Sequence, residues 1–181
     1  MLEQTLSDRE RAAVTEITHR TIEANGIRIH LAEAGEGPLV VLCHGFPESW
    51  YSWRSQLKAL AEVGYHAVAP DMRGYGETDR PEEIEKYTLF HLVGDMIRVV
   101  DALGAQRAVI VGHDWGAPVA WHAALFRPDI FSAVAGLSVP PPFRGRGRPL
   151  DSLRESGITN FYCSTSRHQV SPSASSKAMW L

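Results

Sequence analysis

Between residues 39 and 137, short apolar runs alternate with longer stretches whose apolar residues recur at helical spacing. Leu39 to Cys43 reads LVVLC, with no polar side chain to face water, as expected of a strand buried on both sides. In residues 49–63, Trp50, Trp53, Leu57, Leu60 and Ala61 fall on one helical stripe. His66 to Pro70 is again short and apolar. Residues 88–103 put Leu89, Leu92, Val93, Met96, Val99, Val100 and Leu103 on one face, with Gly104 just beyond. Residues 108–111 read as strand, 117–126 as helix and 131–137 as strand. This alternation predicts an α/β fold, a mostly parallel sheet with helices on both faces. A hairpin should lead it, because residues 18–24 and 27–33 flank Asn25-Gly26, a strong short-range turn signal. A short helix is expected over residues 7–15. Ligands of such sheets gather beyond the carboxyl ends of the strands. Three loops leave those ends, at residues 44–48, 71–81 and 112–116.

The bulk properties remove several function classes. The 181 residues suffice for one domain with a sizeable core. A net charge of −3 gives no footprint for nucleic acid or an anionic membrane surface. No apolar stretch approaches the roughly 20 residues that span a bilayer, and Met1 to Ala12 is too polar for a signal peptide. Cys43 and Cys163 form no disulfide framework, and the histidines show no metal-ligand spacing. The expected setting is cytoplasmic and reducing, without a metal.

The third loop carries the sharpest feature. Gly112-His113-Asp114-Trp115-Gly116 joins a strand to a helix and has the small-x-acid-x-small form of a nucleophile elbow, with Asp where Ser is commoner. A carboxylate can be a nucleophile, forming a covalent ester. A helix N-terminus favours its ionised form. The competing reading is a plain helix N-cap, a frequent post for Asp. The first loop tips the balance. His44-Gly45-Phe46-Pro47 follows the LVVLC strand, where elbow enzymes place one of two oxyanion-hole amides. The expected donors are the backbone N–H groups of Phe46 and Trp115.

HGFPESWYSWR, DMRGYGETDRP and GHDWGAPVAW, in that order, resemble the α/β-hydrolase family, and within it the epoxide hydrolases. The likeness runs from about Ile17 to Tyr162. It implies an α/β-hydrolase fold and a two-step reaction that opens an epoxide to a diol. Asp114 attacks an epoxide carbon, lid tyrosines donate to the opening oxygen, and a histidine oriented by an acid activates water against the ester. No metal or organic cofactor is implied. Tyr162 in ITNFY matches the first lid tyrosine, though an interface aromatic would look alike. The second tyrosine, the acid and the base histidine belong to later parts of the family pattern. On this reading the chain is inactive or limited to one covalent turnover. Phe46, Trp50 and Trp115 suggest an apolar epoxide as substrate; His44, Gly45, Pro47, Gly112 and Gly116 are expected to shape the two loops. His44 should order its turn, and Asp71, Arg73 and Asp79 should fix theirs by ion pairs and turns. The sequence leaves the oligomeric state open. Two alternatives stand beside this reading. One is a dehalogenase, in which the Trp115 indole would hold the halide; the other is a ligand-binding hydrolase fold without catalysis.

The expected organisation is a core over residues 1–139, the start of a lid over 140–162 and an aberrant tail over 163–181. The tail is rich in serine and has no periodicity. Restoring one base in the Cys163 codon permits a frame reading Trp-Gln-Tyr-Phe-Gln-Thr-Pro-Gly-Val-Ala-Glu, which resembles the start of an epoxide-hydrolase lid. A shifted frame and a genuine disordered tail are the two readings, and the coding DNA separates them. If the family pattern is cut short, strand 131–137 should lie on an exposed edge beside uncovered apolar helix faces.

Overall fold

Asn25 and Gly26, with φ of 52° and 77°, turn β1 (Thr18–Ala24) back onto β2 (Ile27–Ala34). Both angles lie in the left-handed region that two-residue hairpin turns require. The computed structural model describes residues 14–141. The helix expected over 7–15 lies almost wholly outside them, as do Tyr162 and the tail. Four further strands follow: β3 (Leu39–Cys43), β4 (His66–Pro70), β5 (Ala108–His113) and β6 (Phe131–Leu137). The six-stranded sheet runs in the order β1-β2-β4-β3-β5-β6. β3, β4, β5 and β6 are parallel, while the hairpin joins β4 antiparallel.

β3 is central, and its alternating side chains serve two cores. Leu39, Val41 and Cys43 face one, with Val93, Met96, Val99 and Val100 of α2 (Leu89–Ala102) and Val119, Ala120 and Ala123 of α3 (Gly116–Phe126). Val40 and Leu42 face the other, with Trp53 and with Leu57 and Ala61 of α1 (Arg54–Glu62). The expected helices on both faces are therefore present. Each fully buried Val or Leu contributes about 1.5–3 kcal/mol, so the continuous LVVLC run stabilises both layers at once.

Two boundaries differ from the sequence reading. The first turn of the 49–63 segment is a tighter 3-10 turn, Trp50–Trp53. Ser49 accepts from the Tyr51 N–H, and the Trp50 N–H goes to Asp71 Oδ1 at 2.9 Å. Both bonds draw the chain in before α1 begins. β5 continues two residues beyond Val111. Gly112 reads as a turn signal, yet it pairs with Cys43 on one side and Gly136 on the other. α2 begins and ends as its pattern predicts: Thr88 accepts from the His91 N–H, and Gly104 follows the C-cap.

Cys43 is fully buried, and burial pushes its thiol up to about 12. The reactive thiolate is therefore suppressed. Cys43 should stay unmodified by iodoacetamide in the native chain and react in denaturant, as read from the mass of its peptide. β6 ends the sheet among the described residues, and Phe90, Leu125, Phe126 and Leu137 are exposed.

Candidate active site

Asp114 sits between β5 and α3 with φ of 50°. A non-glycine residue pays for that angle, and such residues concentrate at functional sites. Its carbonyl accepts the Ala117 N–H at 3.1 Å, and its own N–H reaches the Leu137 carbonyl at 3.2 Å. The turn is thus tied to both the helix and β6. The helix N-cap position falls on Trp115, without a side-chain cap. The Asp114 carboxylate instead reaches across to the loop after β3, where Oδ1 accepts the Phe46 N–H at 2.9 Å.

Close approach of main chain makes this reach possible. A Cβ on Gly45 would lie 2.6 Å from Asp114 Oδ1. A Cβ on Gly112 would lie 2.6 Å from Ala117 Cα, and one on Gly116 2.7 Å from the His44 carbonyl oxygen. The Gly bracket therefore lets α3 start against the ends of β3 and β5. The Phe46–Pro47 peptide of the same loop is cis.

His44 is buried and holds that loop from within. The Met72 N–H donates to its Nε2 at 2.9 Å, and its Nδ1 lies 2.9 Å from the Gly45 carbonyl. An amide can only donate, so Nε2 is bare and the proton is on Nδ1. Burial, outweighing the Gly45 carbonyl, Asp71 and Glu48, pushes the His44 pKa down from 6.5. The folded chain thus binds fewer protons there than the unfolded one. Stability from this group is whole above the ordinary histidine range and is lost as pH falls through and below it. Urea midpoints near pH 7.5 and about pH 5.5 should differ more for the wild type than for His44→Gln.

Two residues near the carboxylate, Glu48 and Tyr75, and one in the Asp71 network, His30, were not singled out in the sequence. Glu48 Oε2 accepts the Gly45 N–H at 3.0 Å and lies 3.2 Å from His113 Nδ1. Tyr75 packs edge-on to His44, with centroids 5.0 Å apart; burial and then the Asp114 carboxylate push its phenol up to about 12. It is therefore a neutral phenol beside the acid. His30 is buried, with Nδ1 2.8 Å from Asp71 Oδ2 and Nε2 3.0 Å from His19 Nδ1. The acid three residues after Gly45 was a readable signal for Glu48; Tyr75 and His30 had none.

The bland expectations hold. Asp71 collects the Trp50 and Glu77 N–H groups and His30; Arg73 makes a buried pair with Asp95 at 2.6 Å; Asp79 pairs with Arg28. Phe46, Gly45, His44, Gly112, Asp114, Trp115 and Gly116 are thus brought to one place, the carboxyl ends of β3 and β5. Trp50 donates its N–H to Asp71 and packs edge-on to His19 with centroids 4.7 Å apart. Among the described residues no group of three His, Cys, Asp or Glu could hold a metal, and no helix is long and apolar enough to cross a membrane.

Residues 38–155 match the family model described as the alpha/beta hydrolase fold. The chain belongs to the α/β-hydrolase family. Among curated relatives of this α/β hydrolase, an epoxide hydrolase of Caballeronia sordidicola is 54% identical over 136 residues, 75% of this chain and 41% of that one. Epoxide hydrolase A of Mycobacterium tuberculosis is 50% identical over 147 residues, 80% of this chain and 46% of the relative. Among solved structures, epoxide hydrolase VrEH1 from Vigna radiata superposes with a TM-score of 0.76 at 52% identity, covering 83% of this chain and 47% of its own. The chain spans less than half the length of these relatives.

Proposed function

We propose that the chain carries the nucleophilic half of an epoxide hydrolase. The observation that carries this reading is the Asp114 carboxylate held across two loops by the Phe46 N–H at 2.9 Å. An Asp114 oxygen attacks an epoxide carbon, the carbon–oxygen bond breaks, and the departing alkoxide takes a proton from a phenol. Tyr162 is the expected donor. The product is a hydroxyalkyl ester on Asp114. Water then attacks the ester carbonyl, and the amides of Phe46 and Trp115 hold the oxyanion. The names of the relatives support the epoxide as electrophile.

The second step needs a base. Each described histidine already has a ring nitrogen engaged: His44 with Met72 and Gly45, His19 with His30, His66 with Glu33, His91 with Thr88, His113 with Glu48, and His122 with the Pro118 carbonyl. We propose that none of these histidines serves as that base, so the ester should outlast its formation. Incubation with styrene oxide should add the whole mass of the epoxide to the Asp114 peptide, and the adduct should persist for hours. An unlabelled Asp114 would remove the proposal. Labelling by a haloalkane alone, with halide release, would move the reading to a dehalogenase.

A further inference from the structure

We infer that His44 aims and polarises the Phe46 amide, and so acts as a positioning residue for the Asp114 carboxylate. The inference rests on the reading of Asp114 as the nucleophile only where labelling of Asp114 is used to test it. Its ground is a continuous series of hydrogen bonds that all run in one direction. The Met72 N–H donates to His44 Nε2 at 2.9 Å. His44 Nδ1 donates to the Gly45 carbonyl at 2.9 Å. The Phe46 N–H donates to Asp114 Oδ1 at 2.9 Å.

The Gly45 carbonyl and the Phe46 N–H belong to one planar peptide unit. A donor on the oxygen side draws electron density from the nitrogen side, and the N–H becomes a stronger donor. The imidazole passes the effect on, because it accepts at one nitrogen and donates at the other. This requires a neutral ring with the proton on Nδ1. Burial favours the neutral ring and the Met72 amide favours that tautomer. The peptide plane is held by that bond together with the Glu48 N–H, which reaches the same oxygen at 3.1 Å, while its own N–H faces the carboxylate. Glu48 accepts the Gly45 N–H and keeps the preceding peptide in place.

Two substitutions separate this role from simple support. In His44→Asn the side-chain amide nitrogen stands where Nδ1 was, so the donor to Gly45 is kept and the acceptor for Met72 is lost. In His44→Gln the side-chain oxygen reaches the place of Nε2, so the acceptor is kept and the donor is lost. Each removes one bond of the same buried ring, and a purely structural role would weaken both alike. The inference predicts a split. Styrene oxide should label Asp114 faster in His44→Asn, which keeps the donor to the Phe46 peptide and loses only the Met72 bond, than in His44→Gln. Labelling in His44→Gln should slow about tenfold, because the carboxylate that the Phe46 amide holds is less well aimed for attack; the oxyanion role of that amide belongs to the later hydrolysis, which labelling does not read. The Phe46 amide proton resonance should move clearly further upfield in the Gln variant than in the Asn variant.

The wild-type full chain, labelled with nitrogen-15 in histidine, gives a direct reading without any variant. His44 should show a protonated Nδ1 and a bare Nε2. A protonated Nε2 overturns the inference, as does an equal response of the two variants in the Phe46 resonance. The resonance and ring signals decide the matter even if styrene oxide labels nothing, so failure of the epoxide reading stays distinguishable.

Discussion

Asp114→Asn should abolish labelling by styrene oxide while the fold survives. The amide is isosteric with the carboxylate, and its oxygen can still accept the Phe46 N–H that now meets Oδ1 at 2.9 Å. The left-handed angle of 50° is also tolerated, because Asn enters that region about as readily as Asp. Charge is what disappears. A neutral amide oxygen is a far weaker nucleophile than a carboxylate, and a nucleophile's removal costs several orders of magnitude. The expected outcome is an unchanged urea midpoint, within about 1 kcal/mol, and no adduct on the peptide holding residue 114. An Asn variant labelled at the wild-type rate would place the reacting group elsewhere.

Gly116→Ala should do the opposite, damaging the fold rather than the chemistry alone. The added Cβ would collide with the Cys43 carbonyl and lie 2.7 Å from the His44 carbonyl oxygen. Both are main-chain atoms at the end of the central strand, so no flexible side chain can give way. Relief would require α3 to withdraw from β3, taking Val119, Ala120 and Ala123 out of the core. A loss of about 4 kcal/mol or more is expected, at the far end of what single substitutions do and a large part of ordinary domain stability. Gly26→Ala provides the contrast. Its Cβ meets nothing within 4 Å, and only the φ of 77° opposes it, so the loss should be about 1–2 kcal/mol. Equal midpoints for the two variants would refute the collision argument.

Elements whose apolar period was unambiguous were legible in the sequence. LVVLC alternates between two cores because both faces of β3 are covered, and a run without polar residues says as much. The Thr88 to Gly104 stretch announced its helix through a cap, a stripe and a terminating glycine. Gly112 was misread as the edge of a turn because glycine signals both a bend and a place where backbones crowd; pairing with Cys43 and Gly136 decided between them. The facing loops could be foreseen from two motifs on neighbouring strands. The bonds that give each side chain its task could not. His44 meets Met72 across 28 residues, His30 meets Asp71 across 41, and Glu48 meets His113 across 65. No local pattern encodes partners that distant, since only the strand order brings them together.

That strand order has a thermodynamic consequence. Phe46 and Asp114 are 68 residues apart and become neighbours because β3 and β5 are hydrogen-bonded along Leu39 to Cys43. Nothing that requires both loops can bind to a chain in which those strands are separated. Any molecule gripped there acts as a staple on the middle of the sheet, raising the unfolding free energy by RT ln(1 + [L]/Kd). Slowed hydrogen exchange should then reach the amides of β3 and β5 on the side remote from the bound molecule, through linkage alone and without contact.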